Sequence, residues 1–476
     1  MSRPFTPRPW QRPMVDFALE HERCMLLARM GMGKSSAVLS AVDALLIASD
    51  VKRALVLAPL RVARSTWPEE ATKWQEFAHL KVQTIVGTLD QRKAALRNDK
   101  ADIYTCNYDV LPWLVDTIGP EHWPFDMVIA DEATKVKSYR TTQGGVRAQA
   151  LSSIAHEKTR RWINLTGTFC PNGLTDIWGP AWFIDQGRRL GRTYSAFENR
   201  WFGYQRATDA LNAHKTRIKR VPFPHAQAEI MGLIKDIAIA LNPKDWFDIK
   251  QPVVVPVYVE LPPAVKTLYR QMEREMFIHL KDYDIEAFAS SGKVIKCMQL
   301  ANGAVYTGSD EEVERGIAHW VEAHEEKLLA LEEIVEEQQG EPLLVAYHFK
   351  PDLERLKKRF PKGRHINTKR DEDDFKAGLI DVAFVHAQSI GHGVDGFQNV
   401  CHAIAFFASD FNLETHDQLI ERIGPMRQMQ AGFDREVTVY LILARGTIDE
   451  TMYERRVAKR GVQDATMEAL SYKEAA

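Results

Sequence analysis

The feature that most constrains this chain is a repeated alternation of short apolar runs with stretches of helical length. In the first half the runs are CMLLA (24–28), ALVLAP (54–59), DIYTC (102–106), DMVIA (126–130) and WINLTG (162–167). Each is almost wholly apolar and ends in glycine, proline or a polar residue. A strand apolar on both faces must be covered on both faces, as in a parallel sheet with crossover helices. The alternation therefore predicts an α/β fold with a mostly parallel sheet flanked by helices. A second block begins near Val253 and carries LLVAY (343–347), DVAFVHA (381–387), HAIAFFA (402–408) and EVTVYLILA (436–444). Ahead of these, Ile317, Val321, Leu328, Leu331 and Val335 recur at helical spacing and predict one amphipathic helix, its acids on the solvent face. Between the blocks, GRRLGRTY, WFGYQ and HKTRIKRVPFPH are basic and aromatic with few strand signals. The expected division is a first lobe over 1–186, an irregular connector or small inserted subdomain over 187–252, and a second lobe over 253–476.

Composition narrows the partners. A length of 476 residues suits two or three domains, and a net charge of −2 excludes a uniformly basic protein. Any nucleic-acid surface must be a local stripe. Lys215, Arg217, Lys219 and Arg220 form one basic run, either a solvated loop or a phosphate-contacting element. The cysteines, Cys24, Cys106, Cys170, Cys297 and Cys401, form no close pairs, so neither a disulfide framework nor a zinc site is expected, and reduced thiols in a cytoplasm are. The start, MSRPFTPRPWQ, lacks the apolar core of a signal peptide, and AVLSAVDALLIAS is too short to span a bilayer and contains Asp43. No membrane association is expected. His386, His392 and His402 hint at a metal cluster, but strands and a glycine-rich loop account for them.

Two motifs carry chemistry. ARMGMGKS (28–35) follows an apolar run and precedes a helical pattern, the setting of a phosphate-binding loop. Residues Met30, Gly31, Met32, Gly33, Lys34, Ser35 and Ser36 would cradle a nucleotide: backbone N–H groups turned onto phosphates, Lys34 on the β- and γ-phosphates, Ser35 on Mg²⁺. Ala28 stands where the first glycine of such a loop is usual. FDMVIADEAT (125–134) is an apolar run ending in two acids. At the C-terminal end of a parallel strand, Asp131 would bind the Mg²⁺ shell and Glu132 would polarise the attacking water. Alone, the first motif could be a turn and the second a helix cap. Together, about a hundred residues apart, they read as one ATP site.

The combination resembles the superfamily-two helicases and translocases, and in detail the SWI/SNF-like ATPases in the compact form found in phages and bacteria. RPWQRPMVDFA (8–18) is similar to that family's adenine-reading motif, with Gln11 in place. VLAPLRVARSTWPEEATKW (56–74), with Pro59 and Arg61, and YTCNYDVL (104–111), with Asn107 and Tyr108, resemble its nucleic-acid-coupling segments, as does LTGTFCPNGLTDIWG (165–179), with Thr166, Gly167 and Thr168. HAQSIGHGVDGFQ (386–398) resembles the loop coupling nucleotide to nucleic acid. It places Ser389 and Gly391 toward nucleic acid and Gly393 and Asp395 toward nucleotide. FFASDFNLETHDQLIERIGPMRQ (406–428) resembles the arginine-finger segment, with Gln418 and Arg422 aligned. The second finger usually stands three residues on, where this chain has Pro425. If GPM loops out as an insertion, Arg427 takes that place.

The resemblance covers about residues 5–460. It implies two tandem RecA-like lobes with ATP in the cleft between them, Lys34, Asp131, Glu132, Arg422 and Arg427 as catalytic residues, and ATP and Mg²⁺ as cofactors. It implies a monomeric, DNA-dependent ATPase that translocates on double-stranded DNA in preference to RNA, in a bacterial or phage-infected cytosol, serving replication, recombination or repair. The alternatives are a strand-separating helicase on DNA or RNA and an ATP-gated clamp with little turnover. The sequence names no protein partner.

Overall fold

The five apolar runs of the first half become buried parallel strands, β1 (Arg23–Ala28), β2 (Ala54–Ala58), β4 (Ile103–Asn107), β5 (Met127–Asp131) and β6 (Arg161–Thr166), joined by β3 (Val82–Ile85), a half-buried strand that the pattern did not announce. The computed structural model describes residues 3–471 except 30, 142–144, 210–211, 280–291, 308–318, 387–394 and 409–411. It comprises two units, one of Met1–Asp248 with Lys459–Ala476 and one of Ile249–Ala458.

In the first unit β7 (Phe202–Asp209) and β8 (Asn212–Pro222) form a separate antiparallel hairpin, with a register irregularity at Thr208/Asp209. β9 (Ala238–Leu241) pairs parallel with β1. The main sheet runs β3-β4-β2-β5-β6-β1-β9, every pair parallel. All its strands therefore point the same way, and the loops after β1, β5 and β6 emerge side by side at one edge. Arg23 pins the sheet to its covering helices. Its guanidinium donates to the backbone oxygens of Ala155, Phe183 and Ile184, at the ends of helices Val146–Ala155 and Trp178–Asp185, and to those of Thr159 and Arg160, just before β6. Burial pushes its pKa down to about 10, with Glu22 opposing.

The stretch over 187–252, expected to be an irregular connector or a small inserted subdomain, contains regular elements among its described residues. It holds the helices Tyr194–Trp201 and Ala226–Ile234, the hairpin, and the edge strand β9. Phe197, Trp201 and Ile230 are buried in the same core cluster as β1, so the aromatic content reflects packing. Residues 459–476 also fall in this unit, where the sequence division had put them in the second lobe. Met467 and Leu470 join the cluster, and Ala240 N donates to Leu470 O at 2.9 Å.

In the second unit β10 (Val253–Val259), β13 (Leu343–Tyr347), β14 (Arg364–His365), β15 (Val382–His386), β16 (Ala403–Phe406) and β17 (Thr438–Ala444) form a parallel sheet in the order β10-β17-β16-β13-β15-β14. Pro256 is tolerated because β10 is an edge strand. β11 (Ala304–Tyr306) and β12 (Trp320–Glu322) make a small antiparallel pair. The amphipathic helix expected from Ile317 onward begins only at Glu326. Val321 lies in β12 and is exposed, while Ile317 lies outside the described residues. Leu328 and Leu331 are buried as the periodicity predicts. Within this unit Lys327, 1% exposed, pairs with Asp449 at 2.7 Å and also donates to Asn302 Oδ1 at 2.9 Å.

Candidate functional site

β1 ends at Ala28, and helix Lys34–Ile47 begins six residues later. Between them the chain turns through Gly31 at φ 83 and Gly33 at φ 72, left-handed conformations that glycine adopts without a Cβ penalty. A Cβ on Gly33 would also lie 2.3 Å from Gln11 Nε2. Gln11 is buried and lies against this loop: its amide nitrogen donates to Gly33 O and Ser36 Oγ, both at 3.0 Å, and its oxygen accepts from Arg8 N at 2.9 Å. Lys34 Nζ donates to Ala28 O at 2.7 Å, across the mouth of the loop. Met32 is buried, Ser35 half-buried, and Met30 lies outside the described residues.

The acidic pair ends β5. Asp131 is 7% exposed and Glu132 8%. Asp131 Oδ2 accepts from the Trp67 indole at 2.9 Å, and Oδ1 from Glu132 N at 3.1 Å. Burial pushes the Asp131 carboxyl up, while the Trp67 N–H, the Lys34 ammonium and the Glu132 N–H hold it down. Glu132 has φ 55, left-handed for a residue with a Cβ; such strain gathers at functional sites.

β6 runs beside both β1 and β5 and delivers Thr166, Gly167 and Thr168 between their ends. Thr166 Oγ1 donates to Thr168 O at 2.7 Å and accepts from Thr168 N at 3.1 Å, a tight local turn. A Cβ on Gly167 would lie 3.5 Å from Ala28 O and 3.6 Å from Lys34 Nζ, so this turn lies directly against the phosphate loop. Pro59 and Arg61, after β2, are partly exposed. Asn107, which ends β4, and Tyr108, directly after it, are buried, and Tyr108 OH donates to Asp131 O at 2.9 Å. Tyr108 therefore underlies the acidic pair, while Asn107 donates to Asp109 Oδ2 at 3.4 Å.

In the second unit Asp395, Arg422 and Arg427 come together. Arg427 Nη1 pairs with Asp395 Oδ1, and Gly396 N donates to the same oxygen at 2.9 Å. Burial raises the Asp395 pKa, but the Arg427 charge, the Gly396 and Gln398 donors and the Arg422 charge outweigh it, leaving the carboxyl below its ordinary value. Arg422 is buried, just past helix Leu413–Ile420, which also carries Gln418. The GPM segment does not loop out: Gly424 caps and Pro425 opens a second helix, Pro425–Gln430, on which Arg427 sits. Ser389, Gly391 and Gly393 lie outside the described residues, as does His392. His386 meets His348 O at 3.2 Å and His402 meets Glu341 at 3.3 Å. The five cysteines are free and buried. Among the described residues no helix is long and apolar enough to cross a membrane.

Residues 11–220 match the SNF2-related domain family. Protein p41 of Acyrthosiphon pisum secondary endosymbiont phage 1 is 45% identical, over 98% of this chain and 99% of its own length. The chain belongs to the SNF2-related ATPases. The DNA excision repair protein ERCC-6-like of Bos taurus is 22% identical over 90% of this chain, which spans 39% of that relative's length. The SWI2/SNF2 ATPase core of Sulfolobus solfataricus, solved in complex with dsDNA, aligns over 98% of this chain and 94% of its own at 18% identity and TM-score 0.44. As an SNF2-type enzyme the chain hydrolyses ATP. Trp67 belongs to the 56–74 segment, read from sequence as a strand leading into a tryptophan and an acidic helix; what that reading missed is its contact with Asp131, 64 positions on. The segment around it was legible, but no local pattern announces that contact.

Proposed function

We propose that this SNF2-type enzyme is a DNA-dependent ATPase that translocates on double-stranded DNA in the cytosol. The observation that carries this reading is the convergence, at one sheet edge, of Lys34, the Thr166-Gly167-Thr168 turn and the Asp131–Glu132 pair. Lys34 serves the β- and γ-phosphates, with the loop N–H groups and the helix N-terminus adding positive potential. Ser35 hydroxyl and Asp131 carboxylate are hard oxygen donors that fit Mg²⁺ and would hold it, and the ion would neutralise phosphate charge there. Glu132 orients and polarises the attacking water. Arg422 and Arg427 supply positive charge to the transferring phosphoryl group, a contribution on the order of 10³-fold or more in rate for such arginines. Gln11, lying on the phosphate loop, ties the adenine side of the site to it. The segments at Pro59, Arg61 and Thr166–Thr168 couple the site to nucleic acid.

The test is ATP turnover with no nucleic acid, duplex DNA, single-stranded DNA and RNA, followed by triplex and strand displacement on the activating substrate. Stimulation by duplex with triplex displacement and no strand separation is expected. Strand separation would replace translocation by the helicase reading. Tight binding with negligible turnover on every substrate would replace it by the ATP-gated clamp.

A further inference from the structure

The Asp131 carboxylate is gripped on both oxygens, and the two grips differ in origin. The Glu132 N–H that meets Oδ1 is part of the strand end itself. The Trp67 Nε1–H that meets Oδ2 at 2.9 Å arrives from elsewhere. Trp67 is 1% exposed and opens helix Trp67–Lys73, directly after a π-helical turn over Val62–Thr66. That turn follows β2 and is itself held to β4, where Thr105 Oγ1 donates to Ala63 O at 2.6 Å. π-helical turns are rare and concentrate at functional sites. An indole offers one donor and no acceptor. Packing alone is served equally by an all-carbon ring, so the N–H is there for the carboxylate.

We propose that Trp67 is a positioning residue for the Mg²⁺-binding carboxylate. Its N–H fixes the rotation of Asp131 and keeps the remaining lone pairs turned toward the metal's water shell. This rests on the assignment of Asp131 to Mg²⁺ in the proposed function. Without the N–H the carboxylate turns about its own side-chain bonds, and part of the metal's binding energy is used in re-ordering it. Outer-sphere partners of this kind are commonly worth 10–100-fold in metal affinity.

The experiment is Trp67→Phe in the full chain, with Mn²⁺ as probe. Free Mn²⁺ is followed by electron paramagnetic resonance in the presence of ADP, and metal-free ADP binding is measured separately. The expected result is an Mn²⁺ dissociation constant weakened by about 10-fold, with metal-free ADP affinity unchanged. The Mg²⁺ concentration for half-maximal turnover should rise in parallel, and turnover should recover at high Mg²⁺. A merely structural role would weaken metal-free ADP binding as well and would not recover. Mn²⁺ affinity within twofold of the parent overturns the proposal. Should Trp67→Phe fail to fold, Trp67→His, which keeps a ring N–H, is compared with Trp67→Leu, which keeps only bulk; equal Mn²⁺ affinities overturn it. Asp131→Asn separates the two levels. If that variant binds Mn²⁺ as the parent does, the metal assignment itself fails; if it does not and Trp67→Phe is unchanged, only the role of Trp67 fails.

Discussion

Lys34 is already aimed across its loop, with its ammonium on Ala28 O at 2.7 Å. Removing it takes away a point charge that neither the N–H groups nor the helix end replaces. Lys34→Ala should therefore abolish hydrolysis and weaken ATP binding, and turnover near the parent's would sink the nucleotide-site assignment. Glu132 separates binding from chemistry. Glu132→Gln keeps the shape but polarises water poorly, so ATP binding should persist, hydrolysis should stop, and DNA retention with ATP present should rise. Unchanged retention with continuing hydrolysis would assign the base elsewhere. Asp352, in the second unit, makes a pH prediction independent of catalysis. Burial pushes its carboxyl up to about 6, against the Phe349 N–H and the Lys327 and Arg355 charges. A folded-state pKa above the unfolded one means the folded chain holds the extra proton, so this contribution to stability is full below about pH 4 and is lost as pH rises to about 6. Asp352→Asn keeps an acceptor for Phe349 N, now at 2.9 Å, and for Asn302, now at 3.2 Å, while removing the titration. Denaturant unfolding across pH should show the variant gaining on the order of 2 kcal/mol relative to the parent between pH 4 and pH 7. Parallel profiles would refute it.

The elements that form the proposed site were the most legible, because each joins a parallel strand to a turn of special composition. β1 with its glycines, β5 with its acids and β6 with Thr166-Gly167-Thr168 are all placed by the apolar-run pattern. The elements missed were short or sat where composition misled. β9 is four residues long, and its membership of the sheet is a long-range pairing with β1. Val321 matched a helical period by coincidence, and its antiparallel pairing with Val305 overrode it. The segment after Arg422 was read only conditionally, as an insertion that would loop out; Pro425 instead takes the first position of a helix, where proline is favoured. Arg427 is therefore held on a rigid turn beside Asp395. If both arginines act in the transition state, Arg422→Ala and Arg427→Ala should each cut kcat strongly and leave ATP affinity largely intact at saturating duplex. Near-normal kcat for Arg427→Ala would leave Arg422 as the sole finger and Arg427 as a partner for Asp395.

Across the whole molecule the net charge is −2, so DNA must be met by local concentrations of positive charge. Along β7 and β8 the basic residues are Arg206, Lys215, Arg217, Lys219 and Arg220, against one acid, Asp209. Binding through phosphates releases counterions, so duplex affinity should fall linearly with salt on a log–log plot, and Lys219→Gln with Arg217→Gln should lower the slope by about 2. A flat plot in the parent would refute phosphate tracking; an unchanged slope in the variant would clear the hairpin of a role. The return of residues 459–476 to the first unit has a consequence of another kind, in the order of events on the ribosome. Met467 and Leu470 complete a core whose other members all precede residue 241, and Ala240 N waits for Leu470 O. At typical synthesis rates of about 5–20 residues per second the ATP-binding unit spends roughly 10–45 s emerged but unsealed along β9 while the second unit is made. Throughout that interval an unpaired strand edge and an open apolar seam are on offer to chaperones, to proteases and to other nascent copies, until Met467 and Leu470 are made and close it.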